Sequence, residues 1–346
     1  MPWLLLPPPL GEGWGGGTAP LVHAAALVLA LLIDRMLGEP PTRWHPVVWM
    51  GRYLGRTGRW IAPRIDVAPP ARSGPFAAGA LAWCVGAAAV VLAAAALTAA
   101  AARLPSWAAA LLLGLALKPL LAWRMLRDEV LAVEAALACS LAEGRTRLTH
   151  LVSRDVRTLN EGAVRESAIE SLAENLNDSV VAPLFWFLLL GLPGAALYRF
   201  ANTADAMWGY RGECHGHVWD WAGKWAARAD DVLSWLPARI TALLLTLPCS
   251  LSLSRSRERA GVRVLRSLPR EARLTPSPNS GWPMAAMALR LDVRLAKPGV
   301  YVLNPAGREP TAADTRHAAA LGARVVWMTG ALAALAFVLQ ATWPGA

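Results

Sequence analysis

The chain has 346 residues, of which 55% are apolar and only 17% are charged, a balance that is unusual for a water-soluble protein and indicates a membrane protein. The formal net charge of +10 comes from Arg-rich segments that flank apolar runs and carry no known nucleic-acid-binding motif, so no nucleic-acid partner is expected. The four cysteines are widely spaced and include no CxxC pair, which favours reduced, unpaired thiols over a disulfide framework or a structural zinc site.

Apolar runs recur along the whole chain and predict an all-α fold. They cover residues 19–33, 76–102, 107–123, 180–198, 236–253 and 323–343. The run 76–102 holds no charged residue, and a helix of that length can cross a hydrocarbon core of about 30 Å. The sequence therefore predicts a polytopic integral membrane protein with five or six apolar helical segments and sizeable cytoplasmic loops. Residues 1–18 are predicted to be a disordered extension, and residues 19–346 a single membrane-embedded domain.

The runs 180–198 and 236–253 are each interrupted, the first by Gly191–Gly194 and the second by Pro248. About ten apolar residues precede the first interruption, too few to span a bilayer at 1.5 Å per residue. Either run is therefore a re-entrant segment or a full crossing. The Arg-rich segments 35–72, 124–165 and 255–294 are predicted to be cytoplasmic, because Lys and Arg concentrate on that side of a membrane.

The first polar feature follows the first apolar run, where Asp34, Arg35, His45 and Arg52 are candidates for a ligand site. His45 is a second-rank candidate, since a lone His beside a Pro is more often a loop residue than a ligand.

The most informative stretch is residues 165–183. Glu166, Glu170, Glu174 and Asp178 recur every four residues, so on a helix they form one carboxylate stripe that runs into apolar sequence. Carboxylates there are unfavourable unless they are paired or bound to a cation. We predict these four residues to be catalytic, with Mg²⁺ carried by phosphates at the last three of them. A solvated acidic helix face is the alternative.

Three later stretches add polar candidates. Asn202 and Asp205 are three apart, so their oxygens share a helix face that suits a hard cation or a hydroxyl group, although an Asn-Thr pair can also cap a helix. Asp230 and Asp231 point to different faces, so one of them can bind a ligand while the other pairs with a basic residue.

Arg239 enters an apolar run, where a phosphate or carboxylate would suit its bidentate fork. Asn279 lies in a tight loop before a predicted helix, whose first amides could hold an anion; a purely structural turn explains the loop equally well.

Taken in order, five stretches resemble the adenosylcobinamide-phosphate synthase (CobD/CbiB) family of cobalamin biosynthesis. They read IDRMLGEPPTRWHPVVWMG, RESAIESLAENLNDSVVAPLFW, YRFANTADAMWGYR, AARADDVLSWLPARIT and SPNSGWPMAAMA. The resemblance covers about residues 33–290 and fades after Leu295, where only Pro298 and Tyr301 match the family's pattern.

The resemblance implies an ATP-dependent ligase of the inner cell membrane that forms an amide between a propionate of adenosylcobyric acid and aminopropanol or its phosphate. ATP and Mg²⁺ are the implied cofactors, and the corrinoid, the amine, the bilayer and other corrinoid-pathway enzymes the implied partners. The residues then expected to bind substrates are Asn175, Asn202, Asp205, Arg165, Arg211, Arg228, Asp230, Asp231, Arg239, Asn279 and His45. No Walker sequence is present, so a nucleotide site must be of another build.

Two other readings of the same residues stay open at this point. An intramembrane Mg²⁺-dependent prenyl or phospho-alcohol transferase would use acidic motifs at helix ends, for which NTAD and ENLND are a partial fit. A corrinoid or cation transporter would use the stripe as an ion path, but inverted repeats typical of transporters are not evident.

Overall fold

A computed structural model describes residues 18–66, 72–247 and 255–342. The α-helices in these ranges are α1 (Thr18–Leu37), α2 (Pro46–Ile61), α3 (Ser73–Ala101), α4 (Ser106–Leu117), α5 (Trp123–Cys139), α6 (Leu141–Leu148), α7 (Glu161–Leu176), α8 (Ala182–Trp208), α9 (Lys224–Thr246), α10 (Arg255–Ala272), α11 (Gly281–Leu291) and α12 (Ala312–Thr342). Two short antiparallel hairpins pair β1 (Glu213–Cys214) with β2 (His217–Val218), and β3 (Leu295–Lys297) with β4 (Tyr301–Leu303). The all-α prediction is confirmed.

Five helical segments in the described ranges are long and apolar enough to cross a membrane, which confirms a multi-pass membrane protein. They are Thr18–Leu37, Ser73–Ala101, Ser106–Cys139, Glu161–Trp208 and Ala312–Thr342. The predicted run 236–253 is not among them: α9 ends at Thr246, and residues 248–254 lie outside the described ranges. The predicted extension 1–18 also lies outside them, apart from Thr18, the first residue of α1.

The predicted interruption at Gly191–Gly194 is confirmed as a break within α8. Gly191 has φ +63° and ψ −156°, a backbone conformation that only glycine adopts without strain. Pro193 follows two residues later and has no N–H to donate into the helix. The segment 182–208 therefore consists of two helical pieces.

The chain, predicted as one domain, divides into two compact units. The first contains residues 1–122, 182–233 and 330–346, and the second contains residues 123–181 and 234–329. In the first unit, α1 packs against α4, while α2 packs against both α3 and α8. Its described core includes the fully buried side chains of Leu27, Leu113, Tyr198, Phe200 and Trp208.

Helix α7 is the centre of the second unit. It contacts α5, α6, α11 and strand β3, so every residue from Glu166 to Ala173 is buried. The helix begins where the Asn160 side chain accepts a hydrogen bond from the Ala163 amide at 2.8 Å, which satisfies a first-turn donor. It ends at Leu176 in a π-helical turn, Asn177–Val181. The packing of α7 on all sides brings its carboxylates into the interior of this unit.

Candidate active site

Three of the four predicted carboxylates, Glu166, Glu170 and Glu174, lie on α7. Glu166 and Glu170 are 2% and 5% exposed, and Glu174 is half-buried. Asp178 lies in the π-helical turn, where its carboxylate accepts a hydrogen bond from the Asn177 side chain at 2.8 Å. Asp178 therefore lies beyond the end of α7, and it does not line the cleft that Glu170 and Glu174 share.

Cations from other parts of the second unit neutralise the two buried carboxylates. Arg294 donates to Glu166 at 2.9 and 3.1 Å, and the Ala296 amide donates to the same carboxylate at 3.0 Å. The Arg154 Nη2 donates to Glu170 at 2.6 Å, and the Tyr301 hydroxyl donates to it as well. A buried charge paired in this way needs no metal ion for its neutralisation.

The fit of the stripe to Mg²⁺ can be tested on these contacts. Among the described residues, no three His, Cys, Asp or Glu side chains lie together as a metal site would require. A resident ion held jointly by Glu170, Glu174 and Asp178 therefore does not fit. Mg²⁺ that arrives on phosphates needs only one or two protein ligands, and for such an ion Glu174 stays a predicted ligand.

A polar cleft of about 170 Å³ lies beside Glu170. It is lined by Leu151, Val152, Ser153, Arg154, Ser167, Glu170, Ser171, Glu174, Asn175, Lys297 and Tyr301. Its volume is below the roughly 300–1,000 Å³ of sites that hold drug-sized ligands, so it suits a phosphate or carboxylate group and not a whole corrinoid. Of the predicted residues, the cleft brings together Glu170, Glu174 and Asn175.

Arg154 gives the cleft its capacity for anions. While Nη2 is bonded to Glu170, its Nε and Nη1 atoms are buried and have no hydrogen-bond partner among the described residues. Buried N–H groups of this kind are almost always satisfied, and a phosphate or carboxylate is the acceptor that best matches a guanidinium. Lys297 adds a second cation at the same cleft.

Tyr301 is a fixed hydrogen-bond donor at the cleft wall. Burial raises the pKa of its hydroxyl, and the negative charge of Glu170 raises that pKa further. The phenol therefore stays protonated at every physiological pH and keeps donating to Glu170.

The predicted Arg165 has a different environment. Its guanidinium forks onto Glu134 with two contacts of 2.9 Å and reaches Glu161 at 2.6 Å, while the Thr315 hydroxyl donates to Glu134 at 3.0 Å. Its fork is thus occupied by carboxylates of its own unit. These ion pairs support the packing of α7 against α5, while the contact of Arg165 with a phosphate stays a prediction.

Arg239 and Asn279, predicted separately, are in contact. Arg239 Nη1 donates to the Asn279 side chain at 2.9 Å and to the Trp235 carbonyl at 2.6 Å. Its guanidinium carbon lies 4.4 and 4.7 Å from the ring centroids of Trp235 and Trp282, and burial lowers its pKa. The predicted loop and helix are confirmed, because α11 begins at Gly281. An indole-stacked guanidinium bonded to Asn279 fits the support of this loop.

Seven predicted residues belong to the first unit: His45, Asn202, Asp205, Arg211, Arg228, Asp230 and Asp231. Asn202 accepts a hydrogen bond from Arg199 at 3.3 Å, and both it and Asp205 lie on the last turns of α8. Burial raises the pKa of Asp231, while the charges of Arg228 and Arg211 lower it, so these three predicted residues form one electrostatic group.

His45 contacts a cluster of Glu39, Lys118 and Asp34, of which Lys118 and Asp34 are buried. Its Nε2 is 3.1 Å from a Glu39 oxygen, and Lys118 Nζ is 2.9 Å from Glu39 and 3.4 Å from Asp34. Burial opposes ionisation of Glu39, but hydrogen bonds from His45 and Lys118 outweigh it and lower the pKa. Lys118 is not among the predicted site residues, although a Lys inside an apolar run is itself a signal of a functional or paired charge.

Three residues of the cleft are not among the predicted site residues: Arg154, Lys297 and Tyr301. Arg154 is one of seven Arg in the segment 124–165, and no spacing separates it from the others. Lys297 is one of only three Lys in the chain, which could have drawn attention to it.

Comparison with known proteins gives consistent matches over most of the chain. The family model described as CobD/Cbib protein matches residues 27–329. The cobalamin biosynthesis protein CobD of Brucella suis is 38% identical over 338 residues, 92% of this chain and 98% of the relative. The proteins of the same name from Chromobacterium violaceum and Brucella anthropi are 40% identical over 332 residues and 36% identical over 308 residues, covering 91% and 85% of this chain and 97% and 90% of the relatives. No solved structure matches the chain.

Proposed function

Because the chain belongs to the CobD/Cbib family of cobalamin biosynthesis proteins, we propose that it is the ligase that attaches aminopropanol or aminopropanol phosphate to a propionate of adenosylcobyric acid in the inner cell membrane. ATP drives the reaction in this proposal. Membership of a biosynthetic family argues against the transporter and the prenyl or phospho-alcohol transferase.

The observation that carries the proposal is the cleft beside α7, where Arg154 presents two buried N–H groups and Lys297 a second positive charge. The propionate, the nucleotide phosphates and the phosphate group of a phosphorylated amine are all anions. A small cleft with a guanidinium held in place by Glu170 is suited to orient one such group. Asn175, whose side chain donates to the Ser171 carbonyl at 2.9 Å, is a further polar group at this position.

The proposed reaction takes place in two displacement steps. A propionate oxygen bonds to the γ-phosphorus of ATP and ADP leaves; the amine nitrogen then bonds to the activated carbonyl carbon and phosphate leaves. Arg154 and Lys297 stabilise the negative charge on the transferred phosphoryl oxygens. The proton that the amine loses as the amide forms leaves with the phosphate.

Mg²⁺ would supply charge neutralisation on the nucleotide phosphates. Glu174 and the side-chain oxygen of Asn175 are the groups of this cleft that would hold it.

The test is incubation of the purified chain with adenosylcobyric acid, ATP and Mg²⁺, once with aminopropanol and once with its phosphate, followed by mass analysis of the corrinoid. The expected product carries the mass of one amine less one water, with one ADP released for each amide. Lys297→Gln should lower turnover at subsaturating ATP or amine phosphate, because the cleft loses one of its two cations. The Lys297 side chain is exposed, so its loss does not disturb the core. Arg157→Gln, three positions after Arg154 in the sequence but exposed and bonded to Asp155, is the matched control. A folded protein that modifies the corrinoid with neither amine would contradict the proposal.

A further inference from the structure

Helix α2 carries a cationic and aromatic face that the proposed reaction does not use. Between Pro40 and Ile65 the chain holds five Arg and three Trp and no Asp or Glu. At 100° per residue, Trp49, Arg52, Arg56, Arg59 and Trp60 fall within an arc of roughly 100° on the helix. All five side chains are exposed. We call these five residues the α2 face.

The opposite side of α2 is packed within the first unit. Met50, Leu54 and Gly58 are buried there. The Trp208 indole donates to the Leu54 carbonyl at 3.1 Å, and the Tyr53 hydroxyl donates to the Ala82 carbonyl of α3 at 2.7 Å. The helix is therefore fixed in rotation, and the α2 face is held outward by packing.

The position of α2 along the chain puts this face near a membrane boundary. A helix of 16 residues is about 24 Å long, too short and too basic to cross the bilayer itself. It lies in sequence between the candidate spans α1 and α3, and its inner side binds Trp208, the residue at which the span Glu161–Trp208 ends. The α2 face is thus attached to the end of an apolar helical segment, a position that suits an interfacial helix.

The residue types of the face match that environment. Trp60 is 88% exposed and Trp49 is 48% exposed, and an indole prefers the headgroup region of a bilayer to bulk water. The three Arg of the face have no carboxylate neighbour in the segment 40–65, and their forks match phosphate oxygens. A lipid with net negative charge complements this surface, whereas a zwitterionic lipid does not.

From these observations we infer that the α2 face binds the headgroups of anionic phospholipids and anchors α2 in the membrane interface. The inference does not depend on the proposed reaction, because none of the five residues lines the cleft. Arg with aromatic residues also suits single-stranded nucleic acid, but attachment to the end of a span favours lipid.

The test measures lipid binding to the full chain in neutral detergent by native mass spectrometry, with phosphatidylglycerol and with phosphatidylcholine of the same acyl chains. The variant Arg52→Gln/Arg56→Gln/Arg59→Gln should bind phosphatidylglycerol on the order of 100-fold more weakly, about fivefold for each Arg removed. Its affinity for phosphatidylcholine should not change. The corresponding triple Lys variant should retain most of the binding, because the charge is kept.

The control variant Arg103→Gln/Arg157→Gln/Arg316→Gln removes the same charge from exposed positions outside α2. It should bind phosphatidylglycerol like the unmodified chain. Equal losses in the two Gln variants, or equal binding of the two lipids by the unmodified chain, would overturn the inference. Binding of a short oligonucleotide that phosphatidylglycerol does not displace would also overturn it. Melting temperatures in phosphatidylcholine micelles check that all variants fold.

Discussion

At the scale of residues, the carboxylates of α7 differ in burial and in their ion pairs. Glu166 and Glu170 are buried and bonded to Arg294 and Arg154, so their role is to hold these cations and strand β3 in place. Glu174, one turn further along α7, lines the cleft and is half-buried. The chemical roles predicted for the stripe therefore concentrate on Glu174.

Glu174→Gln keeps the size of the side chain and removes its charge. If Glu174 binds Mg²⁺ on a phosphate, turnover should fall by a factor of at least about 100. Steady-state amide formation over a range of Mg²⁺ concentrations measures this. Asp178→Asn is the matched control, since Asp178 lies in the π-helical turn and does not line the cleft. Near-normal turnover of the Gln variant with unchanged Mg²⁺ dependence would return Glu174 to a structural role.

Tyr301→Phe removes one hydrogen-bond donor from the buried Glu170. The free energy of unfolding should fall by about 1–3 kcal/mol, because a buried carboxylate loses a partner. The folded-state pKa of Tyr301 is raised, so its contribution is fully present below the unfolded pKa of about 10 and is lost as pH rises above it. Melting in detergent between pH 8 and pH 11 should therefore show a steeper loss for the unmodified chain than for the Phe variant. Parallel pH profiles would show that Tyr301 is not the titrating group.

At the scale of elements, the loop before α11 and the break in α8 are each held by a few contacts that the sequence only partly indicates. Pro278 and Asn279 accept hydrogen bonds from Arg239, whose guanidinium stacks on Trp235 and Trp282. Gly191 adopts a left-handed conformation in an otherwise apolar helix. Both features join helical pieces, so substitutions there should act on stability.

Arg239→Lys keeps the charge and removes the planar fork. The unfolding free energy should fall by about 1–2 kcal/mol, because a Lys ammonium cannot stack between two indoles while bonding to Asn279 and the Pro278 carbonyl. Thermal unfolding in detergent measures this, and the apparent affinities for ATP and the amine should remain unchanged if the role is structural. A Lys variant of normal stability but reduced ligand affinity would instead support the predicted contact with an anionic substrate group.

Gly191→Ala should lower the unfolding free energy by about 1–2 kcal/mol, because φ +63° brings a Cβ into steric conflict with its own backbone. Gly74→Ala is the matched control, as Gly74 lies in the first turn of α3 with no heavy atom within 4 Å of a Cβ built there and without a positive φ. The control should be neutral or slightly stabilising. Equal melting temperatures for the two variants would contradict the account of the break.

At the scale of the whole molecule, five candidate spans and a strong excess of Arg decide how the chain enters a membrane. The Arg-rich segments 35–72, 124–165 and 255–294 stay predicted as cytoplasmic. This topology requires the broken segment 161–208 to be re-entrant, because a single crossing there would put 255–294 on the other side. The α3–α4 hairpin, whose turn contains Arg103 as its one charge, should expose its tip on the other side.

Single cysteines in a background without the four native ones test this arrangement. Arg103→Cys should react with an impermeant thiol reagent added to intact cells, whereas Arg59→Cys and Arg266→Cys should react only after permeabilisation. All three positions are exposed, so access to the reagent depends on sidedness and not on burial. Labelling of Arg59→Cys or Arg266→Cys in intact cells would contradict the predicted topology.

The sequence by itself determined the class of the protein, most of the candidate spans and the helical character of α7, because apolar content and helical periodicity are local properties of a segment. It also indicated the break at Gly191 and the loop before α11 through Gly and Pro, whose backbone restrictions are intrinsic. Family membership followed from motif order over most of the chain.

Only the tertiary structure decided which charges meet. Arg294 lies 128 residues after Glu166, and Tyr301 lies 131 residues after Glu170, so no periodicity links either pair. Nothing in the sequence distinguishes Arg165 from Arg154. In the structure Arg165 pairs with Glu134 and Glu161, whereas Arg154 lines a cleft. The pairing of a buried charge depends on the folded path of distant segments, and that path, not residue type or spacing, separates structural ion pairs from the groups available to a substrate.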